Sequence, residues 1–363
     1  MALRVLFAQK FSGLGGAQKS LLHHLEQLDR ERFAPHVVVA QEGWLTQNLA
    51  HLRVPWTVMP FGHWSVLNLP RNVLLVRRLL RYIRRHNIAL VHANEHWVGP
   101  PCLWAARTAR IPVICHFRTG LEDLTPRRIR KYFYARFDRV IAVAQVLADA
   151  LAAQLEDPGK VVVVRDGVEM PPALRTPRHG RGRCIVVNIG AIRRFKGQRK
   201  ILEAALPWLE SDRRHYLVMV GGAAEPDYAA GVRRFVEEKG LGRQVILPGN
   251  REDIPRLLGL AHALVAYSSL EGVPRVVMEA MLAARPVIVS PTPGMDEVVI
   301  DGEVGSIVDF DAADALAEAL RELCVDRSRW QAMGVRAREI AQAHYSTRAM
   351  SEALQGIYAE LLR

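Results

Sequence analysis

Two acids and a short run of cations carry most of the chemistry that this sequence offers. Residues 270–290 read Leu-Glu-Gly-Val-Pro-Arg-Val-Val-Met-Glu-Ala-Met-Leu-Ala-Ala-Arg-Pro-Val-Ile-Val-Ser. Glu271 stands in a loop. Gly272 permits unusual backbone dihedrals, and Pro274 suits the first turn of a helix, where its missing N–H is no loss. The helix is expected to run to about Ala284 and to stop before Pro286. Glu279 falls inside it, between Met278 and Ala280. A carboxylate in apolar company needs a partner. Sugar hydroxyls are one class of partner, because carboxylates accept their hydrogen bonds strongly. Arg275, four residues earlier, is another. The spacing leaves both open. Free N–H groups at the start of the helix favour a phosphate.

The cations sit in Gly190-Ala191-Ile192-Arg193-Arg194-Phe195-Lys196-Gly197-Gln198. Arginine offers a planar fork for phosphate oxygens, and lysine a point charge. A solvated basic turn is the plainer alternative. A third stretch, Phe11-Ser12-Gly13-Leu14-Gly15-Gly16-Ala17-Gln18, follows an apolar run and opens a helical pattern. Gly15 and Gly16 would let a backbone approach an anion closely. A dinucleotide fingerprint wants a third glycine where Gln18 stands, so NAD binding is a weak match. His92 and His96 are four apart, but they straddle a strand end and no third ligand is evident. A metal site is therefore not expected.

These residues need a scaffold that presents loops at strand ends. Short apolar runs alternate with longer amphipathic ones along the whole chain. The first half gives expected strands at Leu3–Gln9, His36–Ala40, Trp56–Pro60, Ala89–Ala93, Pro112–Phe117, Arg139–Ala144 and Val161–Arg165. Between them lie helical patterns such as Val73–Ile83, with Leu75, Leu79 and Ile83 four apart. From Met170 the sequence MPPALRTPRHGRGR holds three prolines, two glycines and four arginines, without an apolar period. It reads as a linker. A second series follows at Cys184–Ile189, Tyr216–Val220, Val245–Leu247, Ala263–Tyr267, Pro286–Ser290 and Ser306–Val308. Strand–helix alternation on both sides of a linker implies an α/β chain with two parallel, doubly wound, Rossmann-like sheets. Such sheets bind ligands outside the carboxyl ends of their strands. The chain closes on Met350, Leu354, Ile357 and Leu361, one apolar helix face that must pack on one or both domains.

Composition agrees with this outline. The chain has 363 residues, 50% hydrophobic and 24% charged, enough for two domains with separate cores. The net charge of +12 favours an anionic partner without choosing which. The four cysteines form no C-x-x-C and no disulfide framework, which suits a reducing cytoplasm. The run Leu3–Ala8 contains Arg4 and reads as a strand, not a signal peptide. No run reaches the ~18 apolar residues of a membrane span. Basic residues cluster at Arg77, Arg78, Arg81, Arg84 and Arg85. They recur at Arg127, Arg128, Arg130 and Lys131, beside Tyr132, Phe133 and Tyr134. A solvated face and an anionic membrane surface both fit these clusters. No nucleic-acid motif accompanies them.

Glu271 and Glu279 form an E-x7-E pattern within E-G-x-P-x-x-x-x-E-A-M-x-A. This resembles the retaining glycosyltransferases of the GT-B fold, the large group called family 4. The resemblance extends over the chain. Gly15-Gly16 resembles the family's N-terminal glycine loop, and Asp166-Gly167-Val168 its N-G-V segment. Gly190–Gly197 resembles G-R-L-x-x-x-K-G. Pro293-Gly294-Met295-Asp296-Glu297 with Asp301, Gly302 and Gly305 resembles G-G-x-x-E-x-x-x-D-G-x-x-G.

The resemblance implies a retaining, metal-independent hexosyltransferase. It would move a sugar from a nucleotide-diphosphate sugar to a hydroxyl acceptor, a glycolipid or a growing surface polysaccharide. No cofactor is implied beyond that substrate. Lys196 would bind the diphosphate. Ala191 stands where the family has arginine, leaving Arg193 or Arg194 to replace it. Glu271, with the backbone of Gly272, Val273 and Pro274, would meet the transferred sugar and the phosphates. Glu279 would hold the ribose. Arg251, after Gly249, would lie near the base. His116 would face the sugar. The implied domains are residues 1–170 for the acceptor and 184–345 for the donor, joined by a linker at 171–183. A helix at 346–363 would pack across them. The implied location is the cytoplasm, peripheral to the inner face of the cell membrane, with no nucleic-acid partner. A sugar-nucleotide epimerase or hydrolase on the same fold, or a non-catalytic nucleotide-sugar binder, are the alternatives.

Overall fold

The computed structural model describes residues 2–62, 64, 68–118, 134–169, 183–269, 275–312 and 314–363. The chain divides into two compact units. The first comprises Met1–Gly167 and Thr347–Arg363, the second Val168–Ser346. The expected linker lies almost wholly outside the described residues, as do Glu271, Gly272, Val273 and Pro274.

The first unit holds seven parallel strands: β1 (Leu3–Gln9), β2 (Phe33–Val39), β3 (Trp56–Val58), β4 (Ile88–Ala93), β5 (Val113–Phe117), β6 (Arg139–Ala142) and β7 (Val161–Val163). Their order is β3-β2-β1-β4-β5-β6-β7. Runs such as Val37-Val38-Val39 are buried throughout, because helices cover both faces of a parallel sheet. The second unit holds β8 (Cys184–Ile189), β9 (His215–Val220), β10 (Val245–Gly249), β11 (Ala263–Ala266), β12 (Val287–Val289) and β13 (Gly305–Ile307). These strands are ordered β10-β9-β8-β11-β12-β13, again all parallel. Both sheets reverse direction beside their first strand, between β1 and β4 and between β8 and β11. A doubly wound sheet opens a crevice at such a point, at the carboxyl ends of the strands.

Expected strands and observed strands differ mainly at their ends. β2 starts at Phe33 rather than His36, and β10 runs on to Gly249. Phe33 is buried, so tertiary packing starts the strand ahead of Pro35.

The helix Thr347–Leu361 belongs to the first unit. Its Met350, Leu354 and Tyr358 enter the same core as Phe7, Leu21 and Phe33. Leu361 packs against that core partly buried, and Tyr358, fully buried, joins the expected apolar face. Its hydroxyl is hydrogen-bonded to His92 Nδ1 at 2.8 Å and His24 Nε2 at 3.1 Å, and His24 Nδ1 lies 2.9 Å from Ser351 Oγ. Four polar groups and an apolar face thus seal one side of β1 and β4. Buried polar groups are tolerated there because each makes at least one hydrogen bond.

Candidate active site

In the second unit, a cavity of 290 Å³ opens at the crevice between β8 and β11. Asn188, Ile189 and Gly190 reach it from the end of β8, and Ala266 and Tyr267 from the end of β11. Lys196 and Gln198 enter from the turn after β8, and Arg275, Val276 and Glu279 from the helix Arg275–Leu282. Two cations and one acid therefore line one space at the position where such folds hold phosphorylated ligands.

The turn after β8 is held from behind. Gln198 donates through Nε2 to the carbonyl of Ala191 at 3.0 Å and accepts from the Arg193 amide at 3.3 Å. Asn188 donates to the carbonyl of Val265 at 3.0 Å, tying β8 to β11. Gly197 has φ +54, and a Cβ there would lie 2.0 Å from the Tyr267 ring. Only glycine lets Tyr267 lie against this turn. Lys196 Nζ sits 5.6 Å from the centre of the Phe195 ring, a favourable place for a cation.

The two arginines expected to replace the one missing at position 191 do not line the cavity. Arg194 is exposed, pairs with Glu225 at 3.6 Å and approaches the Tyr228 ring at 5.9 Å. Arg193 lies 5.3 Å from the centre of the Phe195 ring. Arg275 lines the cavity instead, with Nη1 buried and without a hydrogen-bond partner among the described residues. The i−4 pairing between Arg275 and Glu279 that the spacing allowed is not among the ion pairs of the described residues. Arg251 forms a two-pronged pair with Asp253, at 2.8 and 2.9 Å, outside the cavity lining. That pairing pulls the Asp253 carboxyl below its usual range.

Gly15, Gly16 and His116 are in the first unit. Gly15 is extended, at φ −162, and caps the helix Gly16–Glu26. Gln18 donates across this turn to the carbonyl of Phe11 at 3.1 Å. The turn lies beside Glu95, which follows β4 and accepts weakly from the Lys10 amide at 3.4 Å. Burial raises the Glu95 pKa, against the pull of Gln9, Lys10 and Arg118.

His116, at the end of β5, is fully buried and stacks on His92 at 5.6 Å. Burial, then Arg118, His92 and His24, hold its pKa well below 6.5. His96 stacks instead on Phe117 at 4.6 Å, so His92 and His96 serve different contacts. Among the described residues, no group of three His, Cys, Asp or Glu is placed to hold a metal ion.

Sequence reading missed Arg118. Its guanidinium reaches Asn94, Ser20, Asp166 and His116. No local pattern marks an arginine two residues past a buried histidine. The β4–β5 neighbour relation brings Asn94 beside it, while Ser20 comes from the helix Gly16–Glu26 and Asp166 from the segment after β7.

The helix Leu69–Arg85 buries Leu75, Leu79 and Ile83 and exposes Arg77, Arg78, Arg81, Arg84 and Arg85. Its first turns also expose Leu69, Val73 and Leu74. Of the second basic cluster only Tyr134 is described. It is buried against Phe117 at 5.3 Å, so it is a core residue and not part of an interfacial aromatic belt. No helix among the described residues is long and apolar enough to cross a membrane.

Comparison with known proteins gives two family matches. Residues 175–340 match the model described as glycosyl transferases group 1. Residues 14–170 match that of glycosyltransferase family 4. A GDP-mannose-dependent alpha-(1-6)-phosphatidylinositol monomannoside mannosyltransferase of Mycolicibacterium smegmatis is 30% identical, over 77% of this chain and 70% of that protein. An Escherichia coli UDP-Gal:alpha-D-GlcNAc-diphosphoundecaprenol alpha-1,3-galactosyltransferase is 23% identical, over 90% and 89%. Other curated relatives align over less of their own length, in three cases 46%, 63% and 50%. Anabaena HepE, in a crystal structure with UDP and glucose, has a TM-score of 0.78 and 21% identity, covering 99% of this chain and 100% of that one. That likeness establishes the two-domain fold.

Proposed function

Because the chain belongs to the glycosyl transferases of group 1, we propose that it moves a sugar from a nucleoside-diphosphate sugar to a hydroxyl acceptor. The observation that carries this is the cavity at the end of β8 and β11, where Lys196 and Arg275 face a shared space with Glu279. A diphosphate needs positive charge and a ribose needs a hydrogen-bond acceptor, and the cavity offers both. Arg275 takes the part of the arginine absent at position 191. Glu279 holds the ribose hydroxyls, and Glu271 with the backbone of Gly272–Pro274 meets the sugar and phosphates. His116 is proposed to contact the sugar. Arg251, already paired with Asp253, has a minor part beside the base. Transfer is proposed to be retaining and to need no bound metal, because the protein's own cations meet the charge of the leaving diphosphate.

Calorimetry with a nucleoside, its diphosphate and the corresponding sugar nucleotides tests the donor site. Arg275→Gln is expected to weaken diphosphate binding about 10- to 100-fold, the worth of one charged hydrogen bond. Nucleoside binding should not change. No binding of any nucleoside diphosphate by the native chain would sink the donor assignment. Equal binding by the variant would sink Arg275 alone. Product analysis separates transfer from its rivals: free sugar or an epimer formed without dependence on acceptor would favour a hydrolase or an epimerase. Donor that binds but never turns over would favour a non-catalytic binder.

The acceptor is proposed to be a glycolipid or growing polysaccharide at the inner face of the cell membrane. Support comes from the two relatives named for lipid-borne acceptors and from the helix Leu69–Arg85, with exposed Leu69, Val73 and Leu74 beside its arginines. Apolar residues enter the interface of such a membrane while cations meet its phosphates. The chain should sediment with phosphatidylglycerol vesicles but not with phosphatidylcholine ones. Replacing Arg77, Arg78 and Arg81 with glutamine should lower that affinity about 100-fold, at ~1 kcal/mol for each lost charge. Sedimentation indifferent to both lipid charge and these substitutions would refute the docking surface.

A further inference from the structure

Arg118 is a saturated hub. A guanidinium has five N–H donors and no acceptor. Here Nε donates to the carbonyl of Asn94 at 3.1 Å. Nη1 donates to Ser20 Oγ at 3.0 Å and to the Asp166 carboxylate. Nη2 donates to Asn94 Oδ1 at 3.0 Å and to His116 Nδ1 at 3.0 Å. All five donors are used, and the side chain is only 7% exposed. No donor is left over for a substrate. The role of Arg118 is therefore exerted through the groups it holds.

Its bond to His116 settles a proton. An imidazole nitrogen facing a group that can only donate must itself accept. Nδ1 of His116 therefore carries its lone pair, and the ring proton resides on Nε2. Nε2 is buried and has no hydrogen-bond partner among the described residues. An unsatisfied buried donor costs about 1–3 kcal/mol, so such a group is poised for an oxygen that arrives with a ligand.

We propose that Arg118 is a positioning residue that fixes His116 as a neutral Nε2–H donor. On this inference His116 gives a hydrogen bond to a sugar oxygen and does not act as a general base. The second part rests on the proposed placement of His116 beside the sugar. The first part, the tautomer, stands on the Arg118 geometry alone. Asp166 is the counter-charge that makes a buried arginine affordable here, with Ser20 Oγ donating to the same carboxylate oxygen at 2.7 Å.

The groups around His116 all act in one direction. Arg118 on its own strand end, His92 on β4 and His24 on the helix Gly16–Glu26 each disfavour a second proton on the ring. Tyr358 holds His92, and Asp166 is already committed to Arg118 and Ser20. Among the described residues, no carboxylate is hydrogen-bonded to the His116 ring.

The test is nitrogen-15 NMR of the full chain labelled at histidine, with His116→Gln used to assign the signal. The native ring should show the Nε2–H tautomer, unchanged between about pH 5.5 and 8. Arg118→Gln combined with Asp166→Asn removes both charges together and so avoids leaving one buried alone. In that variant the His116 signal should move toward mixed tautomers. Its kcat should fall about 10- to 100-fold, as expected for a misplaced group, with donor KM little changed. Arg118→Lys, which keeps the charge and can still point an N–H at Nδ1, should retain part of the native tautomer. An Nδ1–H ring, or a ring that titrates in this range, in the native chain would overturn the proposal. So would a native tautomer persisting in the folded double variant. Because the spectrum needs no substrate, it decides the tautomer even if the transferase assignment fails.

Discussion

Lys196→Ala is expected to lower kcat/KM by about 10²- to 10³-fold while leaving the melting temperature within a degree or so. The magnitude is that of removing one preorganised group from a charge that develops in the transition state. Lys196 suits this role because the turn that carries it is already fixed. Gln198 pins the turn, and Gly197 folds it against Tyr267. Little reorganisation is then needed as the bond to the diphosphate breaks. Steady-state kinetics at varied donor concentration distinguishes two outcomes. A fall in kcat means that the lysine acts on the leaving group in the transition state. A rise in KM alone means that it binds ground state and transition state equally. Unaltered kcat/KM would remove Lys196 from the site.

The second large effect is acid sensitivity of the first unit. His24, His92 and His116 are buried and neutral. Burial, chiefly, lowers His24 to about 3 and the other two well below 6.5. In the unfolded chain each returns to about 6.5. As pH falls through 6.5 the unfolded state takes up protons that the folded state refuses, so stability is intact above 6.5 and declines below it. Each histidine contributes up to about 1.4 kcal/mol per pH unit, and three together about 4 kcal/mol per unit. Total domain stability is typically about 5–15 kcal/mol, so the first unit should unfold within a few pH units of neutrality. Urea titrations at about pH 7.5 and 5.5, followed by the near-UV signal of the Tyr358 region, check the sign and slope. Equal midpoints at both pH values would contradict it.

Much of the proposed donor site could be read from the sequence because its residues lie on two local stretches. Lys196 is fixed by its glycine-flanked turn and Glu279 by its helix spacing, and both line the cavity. The arginine proposed to replace the one missing at 191 could not be found that way. Proximity along the chain favours Arg193 and Arg194, yet a turn sends neighbouring side chains in different directions. The space beside Lys196 is filled from the helix Arg275–Leu282, nearly eighty residues on. The first unit was harder to read for the same reason. Arg118, Asp166, Ser20 and Asn94 come from four separate segments, and only the fold joins them. The terminal helix shows another limit. Its apolar face was evident from period, but periodicity cannot tell which core receives it. The choice is made by Tyr358, whose hydroxyl matches His24 and His92.

That choice has a consequence during synthesis. Val168–Ser346 is one continuous stretch, whereas the first unit needs both Met1–Gly167 and Thr347–Arg363. A ribosome therefore releases the whole second unit before the first can be finished. At about 5–20 residues per second, the interval lasts roughly ten to forty seconds. During that time Phe7, Phe33 and His24 lack the surface of Leu354 and Tyr358 that later covers them. The unit made first is the one completed last, and a chaperone that recognises nascent apolar surface has that interval in which to act.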